Sequence, residues 1–140
     1  MANVEHPLTF APAELDDLPV LVKNETRSYA FPWTEGVFRD CITGPQTCWV
    51  AKDSTDVIVG HAILSVAAAE AHLLNVCITR DRQGYGLGRQ FLRFLLKSVT
   101  DAGAEVLLPH IVGMSNTVFQ DQMTSWPLIV DHCETFVAFG

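Results

Sequence analysis

The chain has 140 residues, which suits one domain of ordinary size, and its 49% apolar and 18% charged content supports a packed core and excludes a disordered chain. Sixteen acidic against nine basic side chains leave a net charge of −7, which excludes non-specific binding to nucleic acid or to an anionic membrane as the main activity and favours a basic partner. No apolar run approaches the roughly 20 residues of a membrane-spanning helix, and the stretch Met1–Pro7 lacks the basic and apolar regions of a signal peptide. Cys41, Cys48, Cys77 and Cys133 contain no C-x-x-C pair and read as free thiols of a reducing cytoplasm. The expectation is a single cytoplasmic α/β domain over residues 1–140, with no nucleic-acid or membrane partner and no metal.

Leu8-Thr9-Phe10-Ala11 predicts a short first strand. Asp16 or Asp17 can cap a helix that has Pro19 in its first turn and turns Leu18, Leu21, Val22, Glu25 and Tyr29 to one face. Phe31-Pro32-Trp33 breaks it, because the residue before proline disfavours helix. Thr34 then caps a second helix to about Thr43, with Val37, Phe38 and Ile42 inward, and Gly44-Pro45 ends it. Three strands follow: Cys48–Ala51, Val57–Val66 and Ala71–Ile78. A polar turn at Asp53–Asp56 separates the first two, and a hairpin through Ala67-Ala68-Ala69 the second pair. Leu87, Phe91, Phe94, Leu95 and Val99 form the apolar face of the most regular helix, which Gly103 stops, while Arg89, Arg93 and Lys97 line another face. Glu105–Leu108 reads as a further strand, ended or kept at an edge by Pro109, and residues 110–140 show apolar clusters without a period.

Charge is concentrated along this order. Residues 1–79 carry four basic and ten acidic side chains, and residues 98–140 carry five acidic ones and no Lys or Arg. Between them Arg80, Arg82, Arg89, Arg93 and Lys97 face Asp81 alone, which points to a local anion site. The same segment holds Gln83-Gly84-Tyr85-Gly86-Leu87-Gly88, a Q-x-x-G-x-G loop between a strand and a helix. Glycines let an anion approach the backbone N–H groups, and the helix start adds unpaired N–H groups and the positive end of its dipole. The pattern is a pyrophosphate cradle, with Arg82 and Arg89 able to add charge-assisted bonds. It lacks the Gly-Lys-Ser/Thr of a Walker loop, and Arg89 stands where a dinucleotide fingerprint needs its third glycine.

The run from Leu74 to Leu92 resembles the acetyl-coenzyme A (acetyl-CoA) motif of the GNAT N-acetyltransferases. Ala30-Phe31-Pro32-Trp33-Thr34 and Leu74-Asn75-Val76-Cys77-Ile78 are most similar to the bacterial ribosomal-protein-alanine N-acetyltransferases, which acetylate protein N-termini. The resemblance covers about residues 8–108. It implies a twisted mixed, mostly antiparallel sheet of about six strands flanked by helices on both faces, and acetyl-CoA as cosubstrate. It also implies that the backbone of Val76, Cys77 and Ile78 holds the thioester and pantetheine arm. The amides of Gly84, Tyr85, Gly86, Leu87, Gly88 and Arg89 would hold the pyrophosphate, with Gln83 opening the motif. Phe31 and Trp33 would help form the site for a basic N-terminal peptide, possibly that of a ribosomal protein.

The resemblance weakens in residues 109–140. The glutamate that serves the family as general base falls on His110 or Ile111, depending on the direction of counting, and no tyrosine follows Tyr85 to serve as general acid. His110 is the candidate base, since imidazole titrates near neutral pH, and Asn116 of Ser115-Asn116 is a candidate cofactor contact or helix cap. His61, His72, His132, Cys133, Trp49 and Trp126 read as structural. Three functions remain open: a protein N-terminal acetyltransferase, an acetyl-CoA-binding module with weak or no activity, and a transferase acting on a small amine. The cation-free tail also fits a product of an altered reading frame, which the nucleotide sequence around codons 108–110 tests.

Overall fold

The computed structural model describes residues 7–109. Its strands are β1 (Thr9–Pro12), β2 (Thr47–Lys52), β3 (Ile58–Ala67), β4 (Glu70–Ile78) and β5 (Val106–Pro109), and its helices are α1 (Leu18–Ser28), α2 (Glu35–Thr43) and α3 (Leu87–Asp101). The strands form one sheet in the order β1-β2-β3-β4-β5. The first four pair antiparallel, and β5 returns beside β4 in parallel after α3. The sheet is therefore mixed and mostly antiparallel, as expected, with five strands among the described residues. No described helix is long and apolar enough to cross a membrane.

Strand alternation builds a core on each face of the sheet. Cys48 and Val50 of β2 and Ile63 of β3 pack with Leu18 and Leu21 of α1 and Phe38 and Cys41 of α2. Ala51, Ala62 and Leu64 face the other way, onto Leu87, Phe91, Leu92 and Leu95 of α3. Phe10 stacks on Phe94 at 4.2 Å, and Trp49 meets the same ring edge-on at 4.8 Å. At Gly60 of β3 a Cβ would lie 2.9 Å from both Cys77 O and Ile78 Cδ1 of β4 and 3.4 Å from Phe91 Cδ2 of α3.

Two local expectations change. Asp17 occupies the N-cap position of α1, but its carboxylate accepts from Glu14 N–H at 2.8 Å instead of capping the helix. Val37 is 41% exposed, because α2 buries only Phe38 and Cys41. Thr34 does cap α2, accepting from Val37 N–H at 3.4 Å.

The turn between β2 and β3 is organised by one carboxylate. Asp53 Oδ1 accepts from Thr55 Oγ1 (2.6 Å), Thr55 N–H (2.8 Å) and Val57 N–H (3.1 Å), and Oδ2 pairs with Arg82 Nη2 at 2.9 Å. The Thr55 hydroxyl, and then the backbone N–H groups and Arg82, bring the Asp53 carboxyl down to about 2. A carboxyl lowered on folding stabilises the fold above its ordinary value near 4, and that contribution is lost as pH falls toward 2. Asp53→Asn is therefore expected to lower the melting temperature at pH 7 and to converge with the wild type as pH approaches 2. A gap of constant size from pH 7 to pH 2 would contradict this assignment.

Candidate functional site

The site begins with an irregularity in β4. The register passes from Ile63↔Asn75 to Leu64↔Leu73, so Leu74 is an extra residue. Leu74 and Asn75 consequently both turn toward α1, while Leu73 and Val76 stay in the α3 core. Strand β5 pairs with β4 only from Glu70 to Leu73. Past the bulge, the outer edge of β4 has no strand partner among the described residues.

The phase of the ladder decides which groups face that outer edge. Thr79 N–H donates to Val59 O, and Cys77 O lies toward Gly60 of β3. By alternation the main-chain groups of Asn75 and Cys77 face β3, and those of Val76 and Ile78 face the outer edge. Two side chains agree: the Tyr29 hydroxyl donates to Val76 O, and Gln83 Nε2 donates to Ile78 O at 3.0 Å. The backbone edge expected from Val76, Cys77 and Ile78 thus belongs to Val76 and Ile78. Cys77 is turned inward. Its Sγ lies 3.3 Å from Ser28 Oγ, and burial pushes the thiol up to about 12, so it remains a protonated packing group.

The Gly-loop follows directly. A 3₁₀ turn, Arg80–Arg82, leads into Gln83, whose bond to Ile78 O fastens the loop to the end of β4. Gly84 and Gly86 adopt φ of +88° and +78°, the left-handed region open to glycine without strain. Gly86 is the N-cap of α3, and Gln90 N–H returns to its carbonyl. Leu87 and Gly88 are buried in the first turn, Arg89 is half-buried, and Tyr85 is 61% exposed. The first-turn N–H groups of Leu87, Gly88 and Arg89 have no acceptor within the helix, which is the donor set an anionic diphosphate requires. Arg82, expected beside the phosphate, is held by Asp53 instead.

A buried polar hub joins this edge to the loop between α1 and α2. Glu25 is 1% exposed. Its Oε2 accepts from Asn75 Nδ2 and from Trp33 N–H, each at 3.0 Å, and its Oε1 lies 3.2 Å from His61 Nε2. Phe38 meets the His61 ring edge-on at 5.2 Å. The carboxylate thus fastens the Phe31-Pro32-Trp33 segment to the bulge of β4, leaving Phe31 77% exposed and Trp33 packed on Phe38. Glu25, His61 and Cys77 bring ligand-type atoms within 4.8 Å of one another. Both Glu25 oxygens are engaged by nitrogen groups, so these contacts build a hydrogen-bonded hub. Glu25 and Tyr29, expected only on the packing face of the first helix, take polar roles instead, Glu25 within α1 and Tyr29 as its C-cap. His110 and Asn116 lie outside the described residues.

A family model described as acetyltransferase (GNAT) family matches residues 13–120. The [Ribosomal protein bS18]-alanine N-acetyltransferase of Escherichia coli strain K12 is 31% identical over 99 residues, covering 71% of this chain and 66% of that protein. The enzyme of the same name from Salmonella typhimurium is 33% identical over 91 residues, covering 65% and 61%. The chain therefore spans just under two thirds of the length of the curated relatives it matches. Among solved structures, the E. coli ribosomal-protein-S18-alanine N-acetyltransferase superposes with a TM-score of 0.71 at 26% identity, over 81% of this chain and 72% of that one. The GphF GNAT-like decarboxylase in complex with isobutyryl-CoA shares the fold, with a TM-score of 0.65 at 20% identity over 72% and 64% of the two chains.

Proposed function

The chain belongs to the GNAT acetyltransferase family, and from that premise we propose that it transfers an acetyl group from acetyl-CoA to the N-terminal amine of a protein. The observation that carries the reading is the β4 edge at Val76 and Ile78, which has no strand partner among the described residues and runs directly into the N–H cradle at the start of α3. The family uses acetyl-CoA, and the groups present fit it: an extended arm can pair with the β4 edge while its diphosphate meets the loop amides of Gly84, Tyr85, Gly86, Leu87, Gly88 and Arg89. Gln83 holds the loop in place through Ile78 O.

The chemistry is direct transfer. The uncharged amine attacks the thioester carbonyl carbon, the C–N bond forms as the C–S bond breaks, and backbone N–H groups stabilise the charge that develops on oxygen. A base takes the amine proton and an acid protonates the departing thiolate. His110 is proposed as the base and Asn116 as a further cofactor contact. Tyr29 puts its phenol O–H at Val76 O on the outer edge of β4 and is proposed to turn it from that carbonyl to the departing thiolate. Phe31 and Trp33 form the proposed peptide wall. The relatives' names support a ribosomal-protein N-terminus as acceptor, and the net charge of −7 suits a basic peptide.

The test is thiol release from acetyl-CoA with three acceptors: a basic peptide beginning with Ala, the same peptide with a blocked N-terminus, and a small primary amine. Release with the free peptide alone is expected. Tyr29→Phe is expected to lower kcat about 10- to 100-fold with little change in KM for acetyl-CoA. Acetyl-CoA binding without release would select the binding module, and release with the small amine alone would select the metabolite enzyme.

A further inference from the structure

We propose that the cavity between α1 and the 3₁₀ turn Arg80–Arg82 is a second ligand site, taking a small molecule that carries a carboxylate or phosphate group. This does not depend on the transferase reading. The cavity has a volume of about 790 Å³ and lies against α1, Val57–Val59 of the β3 end, and Thr79–Arg82. Helix α1 covers the sheet face opposite α3, and none of the residues Gln83–Arg89 lines the cavity. It is therefore separate from the Gly-loop cradle.

Its charge is unusual for so acidic a chain. Lys23 and Arg27 stand one turn apart on α1, and Arg80 reaches the cavity from the far wall. None of the three forms an ion pair among the described residues, whereas Arg82 is neutralised by Asp53. Asp81 is the one acidic residue on the lining. Two guanidinium forks and an ammonium facing one cavity match an oxyanion, which accepts from all three.

Asn24 supplies a reporter group for the site. Asn24 lines the cavity and is only 7% exposed, yet its Nδ2 is buried with no hydrogen-bond partner among the described residues. The Asn24 amide nitrogen is closed off from solvent behind the cavity wall, so it reports on what binds there without contacting it. The volume lies in the range of small-molecule sites and exceeds what inorganic phosphate fills, and Val20, Val57 and Ile58 offer an apolar wall. The ligand is thus an organic anion with an apolar body.

The test uses inorganic phosphate as probe at constant ionic strength, followed by the side-chain amide signals of Asn24 in nitrogen-15 spectra, with and without saturating acetyl-CoA. A saturable shift of the Asn24 amide is expected under both conditions. Arg27→Gln and Arg80→Gln are each expected to weaken it at least about fivefold, with unchanged melting temperatures because both side chains are exposed. Three results would overturn the proposal: a shift that rises linearly without saturating, a shift indifferent to both substitutions, or a shift abolished by acetyl-CoA. The last would assign the cavity to the phosphates of the cosubstrate.

Discussion

Gly86→Glu is expected to weaken acetyl-CoA binding by more than about 100-fold, roughly 3 kcal/mol, while the protein stays folded. Gly86 sits at φ +78° as the N-cap of α3, with nothing within 4 Å of where a Cβ would project. The space is open, so the core is undisturbed. The harm comes from two other sources. A side-chain residue in the left-handed region is strained by roughly 1–2 kcal/mol, and a carboxylate placed among the first-turn N–H groups competes for the donors a diphosphate needs and repels its charge. Gly86→Ala separates the two, because it keeps the strain without the charge and is expected to lose about 10-fold or less. Titration calorimetry reads both variants. Wild-type affinity in Gly86→Glu would remove the diphosphate from this loop.

Glu25→Ala is expected to cost roughly 3–5 kcal/mol of folding stability. The substitution leaves Asn75 Nδ2, Trp33 N–H and His61 Nε2 buried without their acceptor, and it opens a void between α1 and the sheet. Glu25→Gln preserves the volume and one acceptor but sets its NH₂ group against donors, so a smaller loss of about 1–3 kcal/mol is expected. Urea denaturation checks both. A loss under about 1 kcal/mol in Glu25→Ala would mean that the hub does not hold the Phe31-Pro32-Trp33 segment to β4.

The elements were legible because their signals are local. The apolar face of α3, the glycines that open and close it, and Thr34 before α2 each act within a few residues, and the structure has them where the pattern put them. The loop Gln83–Arg89 was legible for the same reason. What escaped depends on partners far apart in the chain. Glu25, His61 and Asn75 come from three elements, and each alone is a polar residue on an apolar face. The bulge at Leu74 is hidden within the apolar run Leu73-Leu74, where either residue fits either face. The inward turn of Cys77 follows from the phase of the β3–β4 ladder, which no single residue reveals. Arg82 reads as a phosphate ligand until Asp53, 29 residues earlier in the chain, is brought to 2.9 Å of it.

Acetyl-CoA is proposed to lie along the β4 edge at Val76 and Ile78, with its diphosphate on the start of α3. Amide-resolved hydrogen exchange, with and without acetyl-CoA, tests it most directly. Protection is expected to rise at Val76 and Ile78 and across Gly84–Arg89, and to stay unchanged at Cys77, whose N–H already faces β3. Protection that is unaltered at Val76 and in the loop, or that rises only in the cavity between α1 and Arg80–Arg82, would contradict the account.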